Sequence, residues 1–524
     1  MEKVYSNPAE LEKLAKEKYA VPPFLMMENA ARAMADFILS ETAAFQNPEL
    51  CSKEPAGYDN SHAEIAAEKA TVVIACGKGN NGGDGYALAR LLQEKLNVVV
   101  LSLEKPAAEE CKTQYEMCRR LGLCFLESWN KTDLCTFEKI CKAKSTVFVV
   151  DCIYGTGFHG KLDEKAKTVL DIMNRSKAKK LACDIPSAFY FIADFTLTMG
   201  ELKLMLYSDE AKASCGKIIL KEIGLARKKF EDCSLEPAAF LITSEDLKLP
   251  FRKKRNAHKG TYGHTAVFSG DKGGASILAA TAALNFGSGL VTIIKHTSSE
   301  LSQFKIPPAL MLSEKLPEKT SCILLGPGVL AHNLSDDQMI CDYFNNGKKK
   351  HSAVYDAGVF DMFGFIQEIK TFSQNPSNQI VLTPHLSELN RFLKIVKDHY
   401  PEANYTEEEI TIEMLANSPE TKIKIGREIN QLFSNAVLVM KSANTFICSG
   451  GSCYIIADGV QSLAKGGSGD ILAGLIAALL AQGYSAKEAA ITAAEHHALV
   501  ARNLGGAAGE EAYNLTPEKL LAAL

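Results

Sequence analysis

The 524-residue chain carries 58 basic and 62 acidic residues for a formal charge of -4, with 47% hydrophobic and 23% charged residues. A chain of this length outgrows one core, so two domains are expected. The near-even charge excludes a nucleic-acid footprint, and no apolar stretch is long enough to span a membrane. The 15 cysteines are an odd number without a C-x-x-C pair, so they read as thiols of a reducing compartment rather than a disulfide framework or zinc site.

The charged N-terminus lacks a signal-peptide apolar core, which points to the cytoplasm. "NPAELEKLAKEKYA" and "PFLMMENAARAMADFILSE" have helical spacing, and residues 46–70 turn polar, as in a loop or short helix. From "TVVIACG" onward, strands at "NVVVLSL", "STVFVVDCIYG" and "KLACDIPS" alternate with helices at "GYALARLLQEKL", "CKTQYEMCRRLG" and "KAKTVLDIMNRS". This βαβ rhythm predicts an α/β domain with a Rossmann-like, doubly wound parallel sheet. A linker carrying the exposed basic run Arg252 to Arg255 falls near residues 228–255. A second α/β system follows, from "HTAVFSGDKG" to "DILAGLIAALLAQGY", interrupted by a polar helical insertion over residues 391–430.

Gly77, Gly79 and Gly82 of "GKGNNGGDG" satisfy G-x-G-x-x-G, with Glu104 placed like a ribose-binding acid. Yet Asn80, Asn81 and Asp84 do not suit an ordinary pyrophosphate turn, because a carboxylate repels phosphate unless a cation intervenes. Packing alone would also account for the glycines. Asp151 ends the next strand before a Gly155-Thr156-Gly157 turn, and Asp184 and Ser187 end another. In a doubly wound sheet such strand ends form the ligand crevice, where Asn81, Asp151 and Ser187 could offer oxygens to a cation; each could equally be a turn or capping residue.

"MMENAA", "GKGNNGGDG", "DCIYGTGFHG" and "DIPS", in this order, resemble the YjeF-type N-terminal domain, the NAD(P)H-hydrate epimerases, over residues 1–230. The resemblance implies interconversion of the R and S hydrates of NADH and NADPH with a bound potassium ion (K+). Asn80, Asn81, Gly82, Gly83 and Asp84 would line the substrate, with Gly155, Thr156, Gly157, Phe158, His159, Gly160 and Lys161. Asp184 would join them as a catalytic residue, and Asn81, Asp151 and Ser187 would hold the potassium. Ala188 replaces the family's glycine after Ser187, and the segment beyond it is roughly eight to ten residues short. That predicts an impaired epimerase, or a domain reduced to ligand binding or scaffolding.

In the second half, Gly466, Gly467 and Gly469 of "SLAKGGSGDILAG" open an apolar helix as an anion hole, and Asp470 is placed as a general base. "MKSANT" and "LTPHLSEL" end strands with Lys441 and with His385 and Glu388, whereas His496 and His497 read as core or helix surface. "HKGTYGH", "GPG", "DAG", "LTPHLSEL", "KSANT" and "GGSGD" resemble the ribokinase-like superfamily and, within it, the ADP-dependent NAD(P)H-hydrate dehydratases, over residues 240–524. By that resemblance Lys441, Ser442, Ala443, Asn444, Thr445 and Gly469 would contact the adenine nucleotide with its Mg2+. Ala275, Gly328, His385 and Asp470 would contact the hydrate, with Asp470 as base. Asp356 remains where "DAG" replaces the family's "DAD", and Glu388 where "HLSE" replaces "HPGE". The alternative is a kinase of a small vitamin alcohol, since related enzymes share the GGSGD loop. Small-molecule substrates and a homo-oligomer are expected, with neither nucleic acid nor membrane as partner.

Overall fold

A computed structural model describes residues 1–46, 69–232, 235–295, 300–330, 338–345, 350–505 and 512–524. The expected loop over 46–70 lies almost wholly outside the described residues. Two compact units are present: Tyr5–Leu206 with Glu210–Glu236, and Met1–Val4 with Tyr207–Asp209 and Pro237–Leu524.

The first unit is built on seven parallel strands in the order Cys124–Glu127, Asn97–Ser102, Thr71–Cys76, Thr146–Cys152, Lys179–Cys183, Phe195–Met199 and Lys217–Lys221. Alternate side chains of one strand serve opposite faces. Val72 and Ile74 pack with the helices Pro8–Tyr19, Pro23–Gln46 and Asn80–Leu92, while Val73 and Ala75 pack with Lys131–Lys142 and Glu164–Asn174. All six residues of Thr71–Cys76 are therefore buried, and the strand reads as a continuous apolar run. The sequence reading missed strand Cys124–Glu127 and helix Lys131–Lys142. The strand has only four residues and is partly exposed at the sheet edge, so it carries little hydrophobic signal. Strand order reverses between Thr71–Cys76 and Thr146–Cys152, the topological switch point where such sheets open a crevice.

In the second unit, Met311–Ser313, Leu290–Ile294, His264–Phe268, Cys322–Leu325, Ser352–Tyr355, Gln379–Leu382 and Ala436–Met440 run parallel. An antiparallel hairpin, Thr445–Ser449 with Ser452–Ile456, then extends the sheet. The helices Gly273–Asn285, Ser468–Ala481 and Ala486–Leu504 share its largest core. Their alanines and glycines allow close contact; a Cβ on Gly474 would stand 2.2 Å from the Ala279 carbonyl oxygen. The 391–430 stretch is part of the fold, not an insertion: helix Pro419–Leu432 packs on the hairpin, and a Cβ on Gly426 would stand 2.3 Å from Cys448 Sγ.

One cysteine expectation needs correction, because Cys448 and Cys453 form a disulfide. The hairpin turn at Gly450 (φ 56°) and Gly451 (φ 81°) sets these residues directly opposite each other with Cα atoms 4.2 Å apart. That is the close spacing of a non-hydrogen-bonded antiparallel pair, which a spacing rule for zinc or redox motifs does not detect. Among the described residues, no helix is long and apolar enough to cross a membrane, and no group of three His, Cys, Asp or Glu is arranged to hold a metal.

Candidate active sites

The first glycine-rich segment is a helix start rather than an open loop: Gly79 is the N-cap and Asn80 through Asp84 form the first turns of Asn80–Leu92. A Cβ on Gly82 would meet the Gly77 carbonyl oxygen at 2.0 Å, and one on Gly77 would meet the Ile153 oxygen at 2.0 Å. Gly77 lets the two strand ends touch and Gly82 lets the helix start sit on one of them, so the packing explanation applies to both. The chemistry falls to the polar residues. Glu104 is engaged by Lys78 at 3.0 Å.

Asp151 and Ser187 meet at the floor of the crevice. Asp151 Oδ1 accepts from Ser187 Oγ at 2.7 Å and from the Ile153 amide at 3.1 Å, while Oδ2 accepts from the Ser187 amide at 2.7 Å. Burial pushes the Asp151 carboxyl up to about 6, against the pull of those hydrogen bonds. Asn81 is buried, its Nδ2 has no partner among the described residues, and Gly155 lies against its side chain. Thr156, Gly157 and Phe158 continue that turn, with Phe158 stacked on Tyr154 at 4.2 Å, whereas His159, Gly160 and Lys161 lie exposed at its outer end.

Three residues around Ser187 occupy the left-handed region: Asp184 (φ 67°), Ala188 (φ 52°) and Phe189 (φ 51°). Such conformations are costly without glycine and cluster at functional sites. The shortened segment thus keeps Ser187 on Asp151 through a strained 3-10 turn at Ser187–Phe189.

Sequence reasoning missed the charged neighbours of Asp184. Lys203, 1% exposed, places Nζ 2.6 Å from Asp184 Oδ1, 2.9 Å from the Met199 carbonyl, 3.1 Å from Thr198 Oγ1 and 3.4 Å from Glu201 Oε1. Burial pulls its pKa down, but the Asp184 and Glu201 carboxylates prevail and raise it. Glu201 is fully buried and pushed up to about 8, chiefly by burial. Asp84 is held well above the usual carboxylate range by burial and by the negative charge of Asp184; Cys183 Sγ approaches it at 3.8 Å. The available signal was a lysine set among leucines in "ELKLML".

In the second unit, the strand ends bring four charges together. Lys441 Nζ lies 2.6 Å from Asp356 Oδ1, which also accepts from Thr383 Oγ1 at 2.8 Å. Asp470, in the first turn of Ser468–Ala481, is pushed up to about 6 by burial first and by Asp356 second, with Lys441 opposing. Burial also raises Glu388, but the His385 hydrogen bonds and Lys441 bring it below its ordinary value. His385 Nδ1 caps helix Leu386–His399, accepting from the Ser387 and Glu388 amides. A Cβ on Gly469 would stand 3.3 Å from Lys441 Nζ, so the lysine faces the glycine hole.

The segments that carry Ala275 and Gly328 adjoin. Gly328 (φ 74°) accepts through its carbonyl from the Lys272 amide at 2.9 Å, and Ser276 Oγ donates to the Pro327 carbonyl at 3.3 Å. The turn from Lys441 to Thr445 is tied from within. Ser442 Oγ donates to the Asn444 carbonyl at 2.7 Å and accepts from buried Lys422 at 2.8 Å, while Asn444 turns its Nδ2 onto the Ser208 carbonyl. His497, buried and depressed to about 4 chiefly by burial, reaches Ser468 Oγ at 3.4 Å. The histidine is in the core, but directly behind the glycine hole.

The chain matches two families: YjeF-related protein N-terminus over residues 24–205 and NAD(P)H-hydrate dehydratase over residues 266–523. The bifunctional NAD(P)H-hydrate repair enzyme Nnr of Helicobacter pylori is 33% identical over 527 residues, covering 99% of this chain and 98% of its own length. The chain belongs to the bifunctional NAD(P)H-hydrate repair enzyme family. The Moorella thermoacetica member is 28% identical, with 96% of this chain and 91% of that one covered. A solved Bacillus subtilis chain, an ADP/ATP-dependent NAD(P)H-hydrate dehydratase co-crystallized with ATP/Mg2+, is 23% identical with a TM-score of 0.42, covering 52% of this chain and 91% of that chain. Asp184 and its neighbours lie within the first match, and Asp470, Lys441, Asp356 and Glu388 within the second.

Proposed function

We propose that this chain repairs hydrated NADH and NADPH, epimerising the R and S hydrates in its first unit and dehydrating the S form with ADP in its second. The observation that carries this reading is Asp470 at the head of a glycine-started helix, with Lys441 facing the same glycines. Asp470 takes the proton of the hydrate's hydroxyl, whose oxygen attacks the β-phosphorus of ADP as the bond to AMP breaks. The amides of Gly467 and Gly469 and the Lys441 ammonium face the charge on the transferring group. Phosphate then leaves with the carbon–oxygen electron pair as the ring loses a proton, restoring the nicotinamide double bond. Mg2+ would accompany the nucleotide, neutralising its phosphates.

In the first unit, Asp84 is a proton donor and Asp184, paired with Lys203, an acceptor: two carboxyls whose surroundings differ. Protonation of the hydroxyl lets it leave as water, the ring nitrogen supplying the electron pair. Water returns to the opposite face and gives its proton to a carboxylate. Asn81, Asp151 and Ser187 fit a potassium ion. Asp151 accepts three hydrogen bonds, leaving about one of a carboxylate's roughly four lone-pair sites. Potassium would supply a fixed positive charge there. Ser187 on Asp151 supports an active epimerase despite the short segment. The vitamin-alcohol kinase reading has less support, because the full-length relatives carry both halves.

Separated R and S hydrates, incubated with the chain with and without ADP, test this. Reduced cofactor should form from S only with ADP, and R should feed that reaction through the first unit. A stable phosphorylated product from ATP and a vitamin alcohol, without repair of the S hydrate, overturns it.

A further inference from the structure

Lys203 lies in the short strand Leu202–Lys203, outside every motif that marks the epimerase site, and no sequence signature assigns it a role. Its ammonium has three N–H donors, yet four oxygens lie within 3.4 Å: those of Asp184, Met199, Thr198 and Glu201. A lysine 1% exposed is tolerated only when paired and hydrogen-bonded. Asp184 is not held by its own backbone preference, since its φ of 67° is a region an aspartate adopts at a cost. Its Oδ1 is fixed by Lys203 and by the Met199 amide at 3.1 Å. Lys203 bonds the Met199 carbonyl as well, so one ammonium ties the side chain of Asp184 to the strand that carries its second donor.

Glu201 is the counterpart. Fully buried, its carboxylate has no hydrogen-bond partner among the described residues beyond the 3.4 Å approach of Lys203 Nζ. Charged and titratable groups facing this knot from other elements are Glu12 on Pro8–Tyr19, Asp84 on Asn80–Leu92, Asp184 after Lys179–Cys183, and Tyr5, whose buried hydroxyl likewise has no partner among the described residues. Lys203 is shared between a carboxylate at the crevice and another sealed in the interior.

We infer that Lys203 is a positioning residue of the epimerase site: it fixes the Asp184 carboxylate for proton acceptance, and Glu201 controls how firmly it does so. When Glu201 is neutral, Lys203 belongs to Asp184. When Glu201 ionises, the ammonium is drawn between two anions and its hold on Asp184 loosens. The inference rests on the epimerase reading above.

The test follows exchange of R and S NADH hydrates by the full chain, with kcat and KM measured across pH, for wild type, Lys203→Met, Glu201→Gln and Asp184→Asn. Lys203→Met should lower kcat ~100-fold, the scale of a displaced proton acceptor, with KM little changed. Glu201→Gln should remove the alkaline limb, and it remains informative if Lys203→Met fails to fold. Wild-type kcat in Lys203→Met, or an intact alkaline limb in Glu201→Gln, overturns the inference alone, provided that wild type is active and Asp184→Asn is not. A wild-type chain without exchange activity overturns the epimerase reading, and the Lys203 role with it.

Discussion

Lys441 Nζ stands 2.6 Å from Asp356 Oδ1; Asp470 feels both of these charges, and Glu388 feels the lysine's. One cation therefore balances three carboxyls at the C-terminal edge of the second sheet. Without it, the base would sit among like charges beside an anion hole, where incoming phosphates would be repelled.

Asp470→Asn should reduce ADP-dependent dehydration by orders of magnitude while leaving R/S exchange in place. Because the base must be ionised and its carboxyl is pushed up to about 6, dehydration should fall as pH drops through about 6. A flat profile from pH 5 to 8, the window set by that shift, would remove Asp470 from the role.

Lys441→Met removes the cation that opposes the upward push on Asp470, so the acid limb should move to higher pH. It also leaves buried Asp356 unpaired, at a cost of about 3 kcal/mol or more. Denaturant unfolding and the pH profile give the two readouts separately.

Ala188→Gly should stabilise the first unit by about 1 kcal/mol, since φ of 52° penalises a Cβ. A lower denaturation midpoint in the glycine variant would contradict the strain argument. If the strain serves the site, epimerisation should change while dehydration does not.

His497 is depressed to about 4 by burial. The unfolded chain binds a proton below about 6.5 and the folded chain does not. Its contribution to stability is therefore complete above about 6.5 and lost as pH falls toward 4. His497→Leu should flatten the melting temperature across that window, and dehydration should weaken as Ser468 loses its partner.

Local sequence carried the helix starts, the apolar strands and the glycine motifs, because hydrophobic periodicity and turn chemistry act within a few residues. The four-residue edge strand Cys124–Glu127 was too short to show either signal. GGSGD announced Asp470 and its helix, and DIPS announced Asp184 and Ser187. Asp151, Lys441, Asp356 and Glu388 were marked by motifs too, but their pairings, and Lys203 altogether, were silent. Lys203 reads as one lysine among 58 basic residues until folding buries it against Asp184. Thr383 and Lys441 reach Asp356 only when three parallel strands align their ends.

Sequence by itself determined which residues could accept a proton, which turns could admit a phosphate, and which family the chain resembles. Tertiary structure decided the charge around those residues and which glycines serve packing. The reason is that pKa shifts and close approaches depend on burial and on distances between strands far apart in the chain, which no local pattern encodes.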